Sequence, residues 1–331
     1  MTAAATPVPL LLTAEALPAE EVEAIRRHAA VGAPDWAVLD VTGPGAVSCV
    51  QGLITSDLEG PGDGACVYGA VLTPKGMIRA DLWAWRFDGR VRLVAPLAAR
   101  ATVLDLLKRT LPPRLARFED RTGPTTVLLL VGPDSLAVAQ HAGLPIPDMG
   151  AVIQTDERVV ARAPAGHTAP FTLAVAFGAG GNELKRALEQ YGATPVSAGV
   201  LELARITAGW PRLGAEIDDK TLPQEVRFDE IGAVSYSKGC YTGQETVARL
   251  HFRGHANRGL VGLTWTGTPV PDNSVVIQDD RPLGEVTSAA WLAHSGHWIG
   301  LAKVRRELDR SRVVQAAGAP ASVTDLPFTG W

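Results

Sequence analysis

The helical signals of this chain stop at Arg258, and no other feature limits the fold so tightly. Beyond it, short β-type runs at 259–265, 274–278, 284–288, 298–304 and 312–315 follow one another. Turns such as Gln278-Asp279-Asp280-Arg281-Pro282 separate them. Short strands at regular spacing, with no helix-period stretch among them, specify a small β-barrel or sandwich. The boundary is expected near 253–258.

Before that boundary, helices and hairpins are mixed. Residues 18–29 read as a helix. Glu20 and Glu21 lie in its first turn and Arg26, Arg27 and His28 in its last, an order that suits the helix dipole. A short strand at 37–41 and a helical segment around 45–53 follow. Strands at 77–87 and 90–95 flank Asp88-Gly89, a strong hairpin signal. The stretch 97–111 is an amphipathic helix, with Val103, Leu104, Leu107 and Leu111 on one face and Pro112-Pro113 as its stop. Strands at 125–131 and 171–177, a helix at 183–191 and a buried helix running from Ser197 to Ala208 complete the body. This is not a regular βαβ alternation, so the class is α+β with antiparallel sheets. Neither a Gly-x-Gly-x-x-Gly nor a Walker loop stands at a strand-to-helix junction, which argues against a dinucleotide or P-loop site.

The 331 residues leave room for two or three domains and a sizeable core. Hydrophobic content of 46% and charged content of 20% belong to a globular chain. A net charge of -4 supplies no global attraction to nucleic acid or anionic membranes, so neither is expected as a partner. Cys49, Cys66 and Cys240 form no Cys-x-x-Cys pair, so neither a zinc ribbon nor a disulfide framework is expected. The start of the sequence lacks the pattern of a signal peptide, and no apolar window is long enough for a membrane span. A cytoplasmic protein is the expectation.

One stretch stands out chemically: Lys238-Gly239-Cys240-Tyr241-Thr242-Gly243-Gln244-Glu245. Free cysteines are usually small buried hydrophobes, whereas Cys240 sits in a polar, glycine-punctuated loop. Nearby cations such as Lys238 and His251 favour a thiolate, the nucleophilic and metal-binding form. An inert thiol in an ordinary turn is the alternative. Arg249, Arg253 and Arg258, with His251 and His255 between them, form either a polyanion-binding run or a solvated linker face. Asp81, on the strand 77–87, either orients the N–H groups of a heterocycle or points to water. Glu202 and Arg205, three apart on the apolar helix, either pair or face a site. Trp83, Trp85 and Trp210 read as core and rim residues.

The octapeptide 238–245 resembles the signature of the YgfZ-type folate-binding proteins. That family is tied to maturation or repair of iron–sulfur enzymes and is a cousin of the glycine-cleavage T-protein, an aminomethyltransferase. Further blocks are similar: 41–45 through 53–58, Leu72-Thr73-Pro74-Lys75-Gly76, Arg205 through Ala208-Gly209-Trp210-Pro211, Pro223-Gln224-Glu225, and Gly284-Glu285-Val286-Thr287-Ser288. Together they span about residues 35–305.

The resemblance implies an α+β fold: a T-protein-like body over 1–254, made of two antiparallel-sheet and helix lobes around a central channel, and a small C-terminal β-barrel over 255–331. The lobes would meet near residue 120 or be intertwined. The implied cofactor is tetrahydrofolate, with or without a polyglutamate tail, and no stably bound metal. Asp81, Lys75, Glu202, Arg205, Lys238, Tyr241, Gln244, Glu245, Arg249 and Arg253 would bind it. Cys240 would be the functional thiol near the channel. The implied partners are iron–sulfur client or assembly proteins, served by a monomer. One cysteine cannot hold a cluster alone, because clusters take four ligands. Two departures from the family pattern matter: the first stands against the transferase reaction, and the second removes the usual pterin contact, which Asp81 or Glu202 would have to replace. Where the T-protein has paired carboxylates, this chain reads Arg79-Ala80-Asp81, and Thr207 replaces an acid just before Ala208-Gly209. The expected function is therefore a folate-binding accessory protein, with a one-carbon transferase and a folate-independent thiol redox protein as alternatives.

Overall fold

A computed structural model of the protein describes residues 10–155, 158–164, 169–178, 181–266 and 274–331. A five-stranded antiparallel sheet is drawn wholly from 36–120. Its order is Cys66–Leu72, Ile78–Phe87, Arg90–Pro96, Trp36–Thr42, Arg117–Asp120. The hairpin expected at Asp88-Gly89 forms, with both residues at positive φ (51° and 67°). Such a two-residue turn matches the twist of its strands. Along Ile78–Phe87 the two faces divide by alternation. Ala80, Leu82 and Ala84 join Val103 and Leu107 in one core, beneath the helices Ala46–Gln51 and Arg100–Thr110. Trp83, Trp85 and Phe87 enter a second, central core. Asp81 shares their parity and is buried, so it points inward rather than to water.

The second sheet has six strands, in the order Ala193–Pro195, Ala29–Gly32, Thr126–Val131, Leu173–Phe177, Arg158–Arg162, Val152–Gln154. The helix expected at 18–29 ends at Arg27, and the residues from Ala29 turn into a strand instead. That strand pairs with Ala193–Pro195 in parallel, an exception to the antiparallel expectation. The second sheet thus takes a strand from before the first sheet as well as those after it, and the lobes interleave in sequence. One face packs under the helices Ser135–His141 and Gly181–Gln190, through Leu130, Val175, Leu184 and Leu188. The other, through Ala30, Val127, Leu129 and Ala174, joins the central core. Helix Ala198–Thr207 lies in that same core. Ser197 stands at its N-cap position, but its hydroxyl makes no cap bond; its backbone N–H donates to Glu21 at 2.7 Å.

Six strands make the C-terminal barrel: Arg258–Trp265, Val275–Gln278, Arg281–Leu292, His297–Arg305, Val314–Ala316 and Ala319–Thr324. Pairing of Arg281–Leu292 with His297–Arg305 closes it. The run expected at 284–288 is therefore part of a longer strand. The N-terminal strand Leu10–Leu12 adds to this strand in parallel. Val261, Leu263, Val286 and Ala302 fill the barrel interior. Leu260, Leu301, Ile299 and Ala290 face out of it into the central core, so the barrel wall is also a wall of the body.

The polar part of that seam is a single network. Glu216 is fully buried. Its carboxylate accepts bonds from Arg205 Nη1 (2.8 Å), the Arg212 backbone N–H (3.2 Å), Thr287 Oγ1 (2.8 Å) and Ser288 Oγ (2.6 Å). Thr287 and Ser288 are consecutive and should face opposite sides of a strand. A bulge between Val286 and Ser288 brings both hydroxyls to one oxygen. Breaking a buried pair by deleting one partner costs about 3–5 kcal/mol. Glu216→Ala should therefore lower urea stability by about that amount, while Arg205→Met/Glu216→Leu should lose less than the single variant. A single-variant loss under about 1 kcal/mol would show that the pair does not hold the seam.

Candidate functional site

Between the two sheets and helix Ala198–Thr207 lies a cavity of about 220 Å³. Trp36, Trp83, Leu129, Leu201 and Trp210 give it apolar walls. Tyr68, Trp83 and Trp210 form a cluster with ring centroids 4.9 to 5.6 Å apart, Trp83 and Trp210 nearly parallel at 10°. The acidic group on this surface from the first sheet is Asp81. Its Oδ2 accepts from the Tyr68 hydroxyl at 3.0 Å and its Oδ1 from the Leu213 N–H at 3.2 Å. Burial pushes the Asp81 carboxyl up to about 6, and those two donors oppose the rise. Burial, reinforced by the adjacent carboxylate, holds the Tyr68 hydroxyl protonated, well above its usual pKa.

Helical spacing decides which residues of Ala198–Thr207 reach the cavity. Ala198, Leu201, Glu202 and Arg205 lie on its wall, at i, i+3, i+4 and i+7. Glu202 pairs with Arg205 Nε at 2.7 Å and Arg212 Nε at 3.1 Å. Arg205 is committed in every direction: Nε to Glu202, Nη1 to Glu216 and the Trp210 carbonyl (2.6 Å), Nη2 to Ser288 Oγ (2.8 Å). It is thus a scaffold cation as well as a wall residue. Thr207 faces a different recess, with Ile25, Val131 and Phe171, and its hydroxyl donates to the Ala204 carbonyl at 3.0 Å. Its replacement of an acid does not alter the wall that carries Asp81.

The octapeptide lies elsewhere. Cys240, Lys75, Lys238, Tyr241, Gln244, Glu245, Arg249 and Arg253 line no part of the Asp81 cavity. Lys238 is buried and its Nζ donates to the carbonyls of Gln51 (2.5 Å), Ile54 (2.8 Å) and Ser56 (2.9 Å). Gln51 ends helix Ala46–Gln51, leaving its carbonyl without a partner in the helix, and Ile54 and Ser56 lie in the segment that follows. Burial pushes its pKa down to about 8. The Tyr241 ring lies 5.1 Å from the same ammonium. Gly243 (φ 82°) packs on Gly76 (φ 84°): a Cβ on Gly243 would meet the Thr73 carbonyl at 2.6 Å. The turn 73–76 and the octapeptide therefore dock backbone to backbone. Lys75 and Cys240 are left exposed, as are Glu245, Arg249 and Arg253, while Gln244 is half-buried at the start of helix Gln244–Arg253. His251 is taken up by Asp229 (3.4 Å) and by stacking on Tyr236 at 3.7 Å. The two cations invoked to activate Cys240 thus have other partners.

Tyr68, Trp210, Arg212 and Glu216 complete the site and were not picked out as ligand or catalytic residues from sequence. Tyr68 opposes Trp83 in the register of its sheet, which sets its hydroxyl beside Asp81. That signal is readable only once the register is known.

Comparison with known proteins agrees with this architecture. The GCVT N-terminal domain matches residues 12–145 and the glycine cleavage T-protein C-terminal barrel domain matches residues 258–329. An aminomethyltransferase of Frankia alni is 30% identical over 87% of this chain and 82% of its own. A tRNA-modifying protein YgfZ of Serratia proteamaculans is 27% identical over 89% of this chain and 91% of its own. The chain belongs to the glycine-cleavage T-protein family. The crystal structure of the aminomethyltransferase T of the glycine cleavage system from Bartonella henselae superposes with a TM-score of 0.80. It covers 94% of this chain and 89% of its own at 21% identity, and so shares the fold. Among the described residues no helix is long and apolar enough to cross a membrane.

Two outcomes follow from the geometry. Asp81 binds a proton in the native state up to about pH 6 but releases it near 4 when unfolded. Its contribution is therefore fully present below about pH 4 and is lost as pH rises towards 6, on the order of 2–3 kcal/mol. Urea midpoints at pH 4 and pH 6.5 should differ less in Asp81→Asn than in wild type; equal differences would refute the assignment. Separately, Lys238→Met leaves three carbonyls unpaired and should cost about 1–3 kcal/mol in the same assay. Unchanged stability would mean that the ammonium is not the staple of this loop.

Proposed function

We propose that the chain binds tetrahydrofolate in the Asp81 cavity and serves as an accessory protein for iron–sulfur enzymes, rather than as a one-carbon transferase. The observation that carries this reading is a single buried carboxylate, fixed by Tyr68 and the Leu213 N–H, at an aromatic-walled cavity. A pterin is a flat heterocycle with adjacent N–H donors. It packs against an aromatic wall and places those donors on a carboxylate. With a pKa of about 6, Asp81 is mostly ionised at pH 7 and acts as an acceptor. Bound folate would supply the one-carbon chemistry. The chain's own residues orient the pterin: Asp81 accepts its N–H groups, Tyr68 and Leu213 hold Asp81, and Trp83 and Trp210 exclude water.

The YgfZ relatives carry the name tRNA-modifying protein, and we take cluster-dependent enzymes of that class as the clients. Cys240, exposed and outside the cavity, is the thiol available to such a partner. Similarity to aminomethyltransferases favours a second reading, one-carbon transfer. Against it stands Arg79 in place of an acid, because that transfer needs a positioned carboxylate to handle the folate nitrogen proton.

The test joins calorimetry with complementation. Tetrahydrofolate should bind the wild type, and binding should weaken at least about tenfold in Asp81→Asn, the loss of a charged acceptor. Cys240→Ala should retain folate binding yet fail to rescue a cluster-dependent enzyme. Absence of folate binding, or equal rescue by wild type and Cys240→Ala, would defeat the proposal. Turnover with an aminomethyl donor would move the assignment to the second reading.

A further inference from the structure

A second recess, of about 620 Å³, opens at the seam where the body enters the barrel. Its lining is His255, Asn257, Arg258, Arg305, Arg306 and Glu307. None of these belongs to the Asp81 cavity. In the barrel register Arg258 stands directly opposite Arg305, on adjacent antiparallel strands. Directly opposed like charges on a sheet destabilise it unless something neutralises them. The neighbouring acid does little. Glu307 lies 3.2 Å from Arg281 and only 3.9 Å from Arg305. Among the described residues, the guanidinium groups of Arg258 and Arg306 have no carboxylate partner.

Alternation places the pair on the body side of the barrel. Lys303 shares the face of Arg305 and is buried at the seam, with Nζ 3.0 Å from Asp218. The intervening Val304 fills the barrel interior. The two arginines therefore stand at the open end of a rigid wall whose next inward position is already neutralised. In a chain of net charge -4, three arginines line one recess with one acid turned partly away. Such forks match the oxygens of a phosphate group, which accepts paired N–H bonds from each.

We propose that this seam recess binds a phosphate group, through Arg258 and Arg305 with Arg306 beside them. Two sources present that chemistry: a small phosphorylated ligand and the phosphodiester backbone of an RNA strand. The site is independent of the folate reading, since it shares no residue with that cavity.

The test uses the full chain with two probes, inorganic phosphate and a labelled single-stranded RNA oligonucleotide, at matched ionic strength. Phosphate should raise the melting temperature of wild type above that of a chloride control. Arg258→Ser/Arg305→Ser should abolish the increment without lowering the baseline, since the variant removes a repulsion. Arg258→Glu turns the opposed pair into one of opposite charge, so it should fold at least as well and bind no phosphate. If RNA binds, phosphate displaces it and the salt slope falls by about 1.4 in the double variant, two contacts at about 0.7 each, the source is a nucleic-acid backbone. Phosphate binding without RNA binding assigns the recess to a small ligand. Variants that bind either probe as well as wild type, or a wild type that binds neither, would overturn the site.

Discussion

The carboxylate of Glu216 has no access to water, yet four donors from three separate segments converge on it. A buried charge of this kind is tolerated only when it is fully paired, so the donors must all be in place together. Arg205 comes from the cavity wall, the Arg212 N–H from the following loop, and Thr287 and Ser288 from the barrel. Lys303 extends the same seam to Asp218. Satisfying one carboxylate therefore aligns the helix Ala198–Thr207, the loop 211–221 and the barrel. It also explains why Arg205 offers no spare donor pair to a ligand carboxylate, although it lines the cavity.

With that seam in place, the cavity follows from two sheets turning their inner faces on one helix. Both sheets are buried on both sides, and the inner sides carry the larger aromatics. Packing Trp83, Trp210 and Tyr68 around Asp81 leaves a largely apolar slot whose one buried acidic acceptor is fixed by two hydrogen bonds. The loop of residues 211–221 matters twice, because Leu213 orients Asp81 while Arg212 and Glu216 knit the wall.

The octapeptide serves this architecture in another way. Lys238 closes the end of one helix, and Gly243 meets Gly76 where any side chain would clash. Its lysine and glycines are thus explained by backbone docking, and Cys240 is held outward. The thiol and the Asp81 cavity are separate places on the molecule.

Much of this was legible beforehand. The change of texture at Arg258 marked the barrel, since a period-2 pattern needs no partner to be read. Asp88-Gly89 specified its hairpin, because local turn chemistry is decided by two residues. The octapeptide and the blocks around it named the family. The parallel strand Ala29–Gly32 was not visible: four small apolar residues after a helix become a strand only when Ala193–Pro195 and Thr126–Val131 lie beside them. Strand parity alone left Asp81 with two readings, and Glu202 and Arg205 could be matched on one helix face without revealing Glu216. Sequence by itself determined the classes of element, the barrel and the family, because those rest on local periodicity and short-range turn geometry. Tertiary structure alone decided which polar groups share a cavity and that Cys240 lies outside it. Such contacts join residues far apart in the chain, such as Arg205 and Ser288, and their energies depend on burial that no local pattern encodes.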